Sequence, residues 1–296
     1  MNILILRGGA LGDLILTLPA LARIRKGYPD AFIELWGRLP QAILAEPQFV
    51  NQARDLERAE VARLFLDGTE PLRIGAFDLV VSFLFDPDST IASNLTAAGI
   101  PRVISVSPKL QGAQHAADQL ASGLDQLGLP RLASKDILLG DPRPTPERIR
   151  RLAFHIGSGS HEKNWPLRLW TELVRSLESE FDECLLIGGE ADTDRVKEFQ
   201  IGCKITRLRT LQNADLRWLV KELAGCRLFV GHDSGVTHLA AATGIPTIAL
   251  FGPTDSTIWG PRGANVRIIT SPNGRMESIG VKDVAAEGFL LLASSY

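Results

Sequence analysis

Short apolar runs recur along the chain, separated by longer amphipathic or polar stretches. "ILIL" (3–6), "FIELW" (32–36), "DLVVSF" (78–83) and "RVISV" (102–106) mark strands in the first half, and "RLAFHI" (151–156), "CLLIGG" (184–189), "LFVG" (228–231) and "TIALFG" (247–252) mark strands in the second. Helical patterns such as "LRLWTELVRSLESEF" fill the gaps between them. Strands alternating with helices predict βαβ units and parallel sheets. The last stretch, "VKDVAAEGFLLLASSY", predicts a closing helix. "GDPRPTPERIR" at 140–150 carries three prolines and fits neither sheet, which marks it as a linker. The expected organisation is two doubly wound domains, 1–147 and 148–280, with the closing helix in 281–296. In open α/β sheets ligands bind beyond the carboxyl ends of the strands, so two such sheets facing each other would share one cleft.

Length and composition agree with this division. The chain has 296 residues, 45% of them hydrophobic and 22% charged, with a formal net charge of −2, as in a globular protein with a sizeable core. That charge gives no reason to expect a nucleic-acid partner. Cys184, Cys203 and Cys226 fall in no metal-binding or redox spacing and are expected to be reduced and buried. "MNILILRGG" has only four apolar residues in a row and no basic segment before them, so it is read as a first strand rather than a signal peptide. No apolar stretch nears the roughly 20 residues of a membrane span. The expected location is the cytoplasm, with at most peripheral contact at a membrane surface through a substrate.

Three stretches carry candidate chemistry. In "RGGALGDLILTLPAL" (7–21), Gly8 and Gly9 relax the turn after the first strand, and Gly12 permits close approach of the backbone. This is not G-x-G-x-x-G, because Arg7 stands where the first glycine would be. Asp13 reads either as a helix cap or as a functional carboxylate. Pro19 suits a first helical turn, which would start the main helix near Thr17 and leave Asp13 upstream of it.

The second stretch, "FHIGSGSHEKNWPLRLW" (154–170), ends a strand in Gly157, Ser158, Gly159 and Ser160, with Lys163 following. Loop amides and an ammonium are what a diphosphate needs, although the same residues can form a plain connection with a solvated lysine. It is not a Walker A loop. In the third, "LFVGHDSGVTHLAAATGIPTIALFGPTD" (228–255), Ser234 and Gly235 open a helix whose free amides suit an anion. Here Asp233 can act as a cap and His238 as an ordinary buried histidine. "DPD" at 86–88 resembles a metal-binding D-x-D but reads as a surface turn, and Arg54, Arg58 and Arg63 read as a solvated helix face, with an anionic acceptor as the other option.

Taken together, "GALGDLILTLPAL", the K-x-W-P of Lys163 to Pro166, "IGGEAD" (187–192) and "DSGVTHLAAATGIPTIALFGPTD" (233–255) resemble the lipopolysaccharide heptosyltransferases of glycosyltransferase family 9. The resemblance implies a GT-B fold of two Rossmann-like domains facing across a cleft, the first binding acceptor and the second binding nucleotide sugar. It implies an inverting, metal-independent transfer of a sugar, heptose from ADP-heptose, to a lipopolysaccharide core or related glycan. By position, Asp13 becomes the general base and Gly9 and Gly12 the acceptor loop. Ser158, Lys163, Asp192, Asp233, Ser234, Gly235 and His238 become donor-binding residues, with Asp192 toward the ribose. No cofactor is implied. The first half is short for the family, which leaves the acceptor open. A nucleotide-sugar epimerase of the same fold, or a non-catalytic sugar-nucleotide or glycan-binding protein, are the alternatives.

Overall fold

The structure, a computed structural model, describes residues 1–66, 74–132, 137–139 and 149–294. The chain divides into two compact units, Met1–Ile137 and Leu138–Tyr296. The proline-rich segment expected as the boundary lies, from 140 to 148, outside the described residues. Leu139 already belongs to the second unit, where its amide donates to the Ala242 carbonyl (2.7 Å).

The first unit contains β1 (Asn2–Arg7), α1 (Leu11–Gly27), β2 (Phe32–Gly37), the short α2 (Leu39–Ala42), β3 (Gln52–Asp55), β4 (Leu79–Ser82), α3 (Thr90–Ala97), β5 (Val103–Ser105) and α4 (Ala116–Ser122). Its sheet runs β3-β2-β1-β4-β5, with every neighbouring pair parallel. Strand order reverses direction beside β1, so the loop after β1 opens at a switch point.

The helix α1 begins at Leu11, not near Thr17, and carries Pro19 in its interior. A proline there removes the bond to the Ile15 carbonyl and costs about 3 kcal/mol. Against this, Leu14, Ile15, Leu16, Leu18, Leu21 and Ile24 are all buried, and each contributes about 1.5–3 kcal/mol. Burial wins, and the helix runs through the proline.

The second unit contains β6 (Arg151–His155), α5 (Leu167–Leu177), β7 (Glu183–Gly188), α6 (Thr193–Gly202), β8 (Leu208–Gln212), α7 (Leu216–Ala224), β9 (Leu228–His232), α8 (Gly235–Ala242), β10 (Thr247–Phe251), α9 (Ser256–Trp259), β11 (Val266–Thr270) and α10 (Val281–Ala293). The parallel sheet runs β11-β10-β9-β6-β7-β8, placing its switch point between β6 and β9. The closing helix α10 packs on α5 within this unit. Phe154, Trp165, Trp170 and Phe199 form the aromatic part of its core, with Trp165 edge-on to Trp170 at 5.3 Å. Cys184 and Cys226 are buried, whereas Cys203 is partly exposed, contrary to expectation. Burial pushes the Cys184 and Cys226 thiols up to about 11, so both are inert at neutral pH.

Arg23 shows how the first unit joins helix to helix. Its buried guanidinium donates to the carbonyls of Ala121, Leu129 (2.8 Å) and Pro130 (3.1 Å) and to Asp125 Oδ1 (3.0 Å). Arg23→Met leaves those carbonyls without their donor and is expected to destabilise the protein by about 2–4 kcal/mol. An unchanged urea midpoint in the purified variant would remove Arg23 from this role.

Candidate active site

In the second unit, the loop after β6 and the loop after β9 open side by side at the switch point. A histidine at the end of β9 ties the first loop down. His232 is fully buried; its Nε2 accepts the Trp165 N–H (2.8 Å) and its Nδ1 lies 3.1 Å from the Gly157 carbonyl, to which it therefore donates. Both ends of the loop from Gly157 to Trp165 are thus held by one imidazole. Burial drives His232 from 6.5 down to about 3; the Gly157 bond opposes this, while neighbouring His155 and Arg195 add to it. The ring stays neutral, as this pair of bonds requires.

Within the loop, the Ser158 hydroxyl sits 2.7 Å from the Ser160 carbonyl and 2.9 Å from the Asn164 side-chain amide, closing the turn on itself. Lys163 ends a 3-10 turn (His161–Lys163), and its Nζ pairs with Asp233 Oδ2 at 2.7 Å. The same oxygen accepts from Thr254 Oγ1 (2.7 Å). Asp233 is therefore an anchor for the lysine rather than the cap of α8. Ser234 caps that helix, accepting the Thr237 N–H at 3.4 Å. By position the first amides of α8, beginning at Gly235, have no partner inside the helix. His238 lies one turn further in and is buried.

Asp192 ends the 3-10 turn after β7 (Glu190–Asp192) and is buried. Its Oδ2 accepts from the Gly189 amide (2.8 Å) and meets His155 Nε2 (2.9 Å). Its Oδ1 faces Gly157 so closely that a methyl group there would stand 1.7 Å away, which is why this position is glycine. Burial raises the Asp192 carboxyl, but the His155 bond and charge, the Gly189 amide and Arg195 outweigh it, and the net shift is downward. On its other edge, His155 Nδ1 lies 3.3 Å from Ser234 Oγ. The structure therefore brings Asp192 and Ser234 together through His155. Neither His155 nor His232 stood out in the sequence, because a histidine ending an apolar strand carries no local signal of its partners.

In the first unit, Asp13 occupies the first turn of α1. The Ala10 amide donates to its Oδ2 (2.8 Å), and Arg7 reaches Oδ1 (3.2 Å), with the side chain still 41% exposed. Gly9 has φ +95°, and a methyl group there would fall 2.5 Å from Asp13 Oδ2. The glycine thus serves both the left-handed turn and the closeness of the carboxylate. Gly12 is the second residue of α1. Arg7 is buried, with its Nε donating to Thr17 Oγ1 (2.8 Å). Burial lowers its pKa, and Asp13 offsets part of that.

Asp86 Oδ1 and Oδ2 accept the amides of Ile91 (3.1 Å) and Ala92 (3.0 Å), so this acid caps α3. Arg54 and Arg58 do not share a helix face: Arg54 lies on β3 and pairs with Glu34 (2.7 Å), and Arg58 stacks over Trp36 at 5.0 Å. With Phe77 they line a cavity of about 240 Å³.

Two doubly wound parallel units, the second with its lysine, small-residue loop and helix start at the switch point, define the GT-B class of glycosyltransferases. Residues 112–287, more than half of the chain, match glycosyltransferase family 9 (heptosyltransferase), and the chain belongs to that family. It is 26% identical to lipopolysaccharide heptosyltransferase 3 of Escherichia coli, over 86% of this chain and 84% of that protein. It is 27% identical to lipopolysaccharide heptosyltransferase 1 of Pseudomonas aeruginosa, over 89% and 82%. The solved structure of E. coli ADP-heptose lps heptosyltransferase II superposes with a TM-score of 0.78 at 20% identity, covering 99% of each chain.

The His232 bridge makes a pH prediction. A proton taken up by the unfolded chain near 6.5 is refused by the folded one until about 3, so the stability tied to neutral His232 is complete above that window and is lost as pH falls through it. His232→Phe is expected to be less stable than wild type by about 2–4 kcal/mol at neutral pH, with a shallower loss of its urea midpoint on acidification. Equal slopes in the two proteins would contradict a neutral bridging imidazole.

Proposed function

We propose that the protein transfers a sugar with inversion, heptose from an ADP-heptose donor, to a lipopolysaccharide core or related glycan. The observation that carries this reading is the Lys163–Asp233 pair, 2.7 Å across, set beside the loop after β6 and the start of α8 in a member of this family. Diphosphate oxygens meet two kinds of donor there. Lys163 keeps N–H groups free beyond the one given to Asp233, and the amides opening at Gly235 add the positive end of the helix dipole. Gly157 to Ser160 supply further backbone donors. Asp192, committed to Gly189 and His155, shapes this loop, and any ribose contact it makes uses Oδ1.

In the reaction, Asp13 takes the proton of the acceptor hydroxyl as that oxygen bonds to the anomeric carbon. The bond from that carbon to the diphosphate breaks in the same step, and the charge left on ADP is met by Lys163 and the α8 amides. Gly9 and Gly12 leave space for the acceptor beside Asp13. An ADP-sugar donor and a lipid-linked acceptor place the reaction in the cytoplasm at the inner membrane surface. No helix among the described residues is long and apolar enough to cross a membrane.

Two measurements test the assignment. Asp13→Asn keeps an oxygen for the Ala10 amide and so preserves the start of α1, at a stability cost of about 1 kcal/mol from the weakened Arg7 contact. Its turnover is expected to fall about 100-fold or more, with ADP affinity unchanged. A near wild-type rate, with chemistry limiting, would show that Asp13 is not the base. Transfer is also expected to survive EDTA, since protein donors neutralise the leaving group in this mechanism. A requirement for manganese or magnesium in the chemical step would return Asp86 and Asp88 to consideration as ligands.

A further inference from the structure

The buried chain Asp192–His155–Ser234 does something that the binding of a diphosphate does not by itself require. Asp192 Oδ2, His155 Nε2, His155 Nδ1 and Ser234 Oγ lie in series, at 2.9 Å and 3.3 Å, with His155 and Asp192 both buried. The Asp192 carboxylate is a pure acceptor, so a neutral His155 must carry its proton on Nε2. Its Nδ1 is then bare and accepts the Ser234 O–H. The other acceptor near that hydroxyl, Thr237 Oγ1 at 3.2 Å, also lies inward, since the Thr237 hydroxyl itself donates to the His232 carbonyl. In this state Ser234 has no proton to offer a phosphate: its O–H is given to His155, and its oxygen accepts the Thr237 N–H.

Resting on the reading that the second unit holds a nucleotide diphosphate, we propose that His155 takes a proton from solvent as the diphosphate binds, and that this turns the Ser234 hydroxyl outward to donate to it. With both ring nitrogens protonated, Nε2–H stays on Asp192 and Nδ1–H donates to Ser234 Oγ. The Ser234 O–H then points to a phosphate oxygen, a stronger acceptor than the neutral oxygen of Thr237. When the nucleotide leaves, the proton returns to solvent. His155 and Asp192 are thus positioning residues that act through Ser234.

Charged groups face His155 from several elements. Asp192, from the turn after β7, favours the imidazolium. Arg195 of α6, whose Nε donates to the Ile156 carbonyl at 2.6 Å, opposes it. His232 on neighbouring β9 brings no competing charge because it stays neutral. The Lys163–Asp233 pair beyond Ser234 cancels internally. An arriving diphosphate adds negative charge on the Ser234 side only.

Nitrogen NMR of the imidazole rings, with the His155 signals assigned by their loss in His155→Asn, reads the protonation directly in the full-length protein. Without ADP at neutral pH, Nδ1 is expected to be unprotonated and Nε2 protonated; saturating ADP is expected to protonate both. In calorimetry across buffers of different ionisation enthalpy, wild type is expected to take up more protons than His155→Asn on binding ADP. The nucleotide's own proton release cancels in that difference. The Asn amide stands where Nδ1–H would be and donates permanently, so this variant is expected to bind ADP with an affinity less dependent on pH than that of wild type. Ser234→Ala is expected to weaken ADP by about tenfold and to abolish the extra uptake. A His155 ring that stays neutral in the ADP complex, or that is already doubly protonated without ADP, overturns the proposal while the donor site stands. Absence of any ADP binding by wild type overturns the donor-site reading itself, and this proposal with it.

Discussion

The second unit depends on one neutral imidazole. His232 gives its single proton to the Gly157 carbonyl and uses its lone pair for the Trp165 amide, so the whole loop from Gly157 to Trp165 hangs between two bonds to one ring. Those bonds are compatible only with the uncharged state, and the full burial of the ring enforces that state. Everything that faces the nucleotide in the proposed mechanism follows. Lys163 lies inside the fixed span, and the Gly157 backbone can approach Asp192 because no side chain stands between them. A charged or missing ring at 232 would release the loop even though it touches no substrate.

Asp13 answers a different constraint in the first unit, where one carboxylate serves two roles. One oxygen takes the Ala10 amide, satisfying an otherwise orphaned donor at the start of α1, and the other is held by Arg7. The helix cap and the proposed catalytic base are therefore not competing readings of this residue. Capping fixes the direction of the carboxylate, and its side chain stays partly exposed. Arg7, buried and bonded to Thr17, couples that direction to the body of α1.

The sequence made the central strands legible because they are apolar on both faces. The strands it failed to reveal, β3, β8 and β11, are all at sheet edges, and their half-exposed sequences "QARD", "LRTLQ" and "VRIIT" mix charge with aliphatic residues. β8 is held in part by Arg209, which reaches Glu183 on β7 (2.6 Å), a contact no local pattern announces. The start of α1 lies at Leu11 rather than near Thr17 because Pro19 obeys local preference only where burial does not override it. The glycine and serine loops and Lys163 could be located from spacing and resemblance. Arg7, His155 and His232 could not, because their meaning lies in partners up to 79 residues away, as between His155 and Ser234.

The charges of the proposed donor site are arranged in opposed sets. Lys163 meets Asp233, and Asp192 faces both His155 and Arg195, so with His155 and His232 neutral the two cations and two carboxylates sum to zero. Such a site is stable when empty, because no buried charge lacks a partner. It is for the same reason a poor electrostatic match to a dianion, whose charge is met by backbone amides of the loop and helix and by the outer N–H groups of Lys163. A site that must be both stable when empty and attractive when filled needs a charge that appears on demand. Among the ionisable groups bonded within this cluster, His155 is the one whose ordinary titration range lies near neutrality and whose partners can accommodate either state. The neutral cradle and the proton-linked serine are then two aspects of one electrostatic compromise.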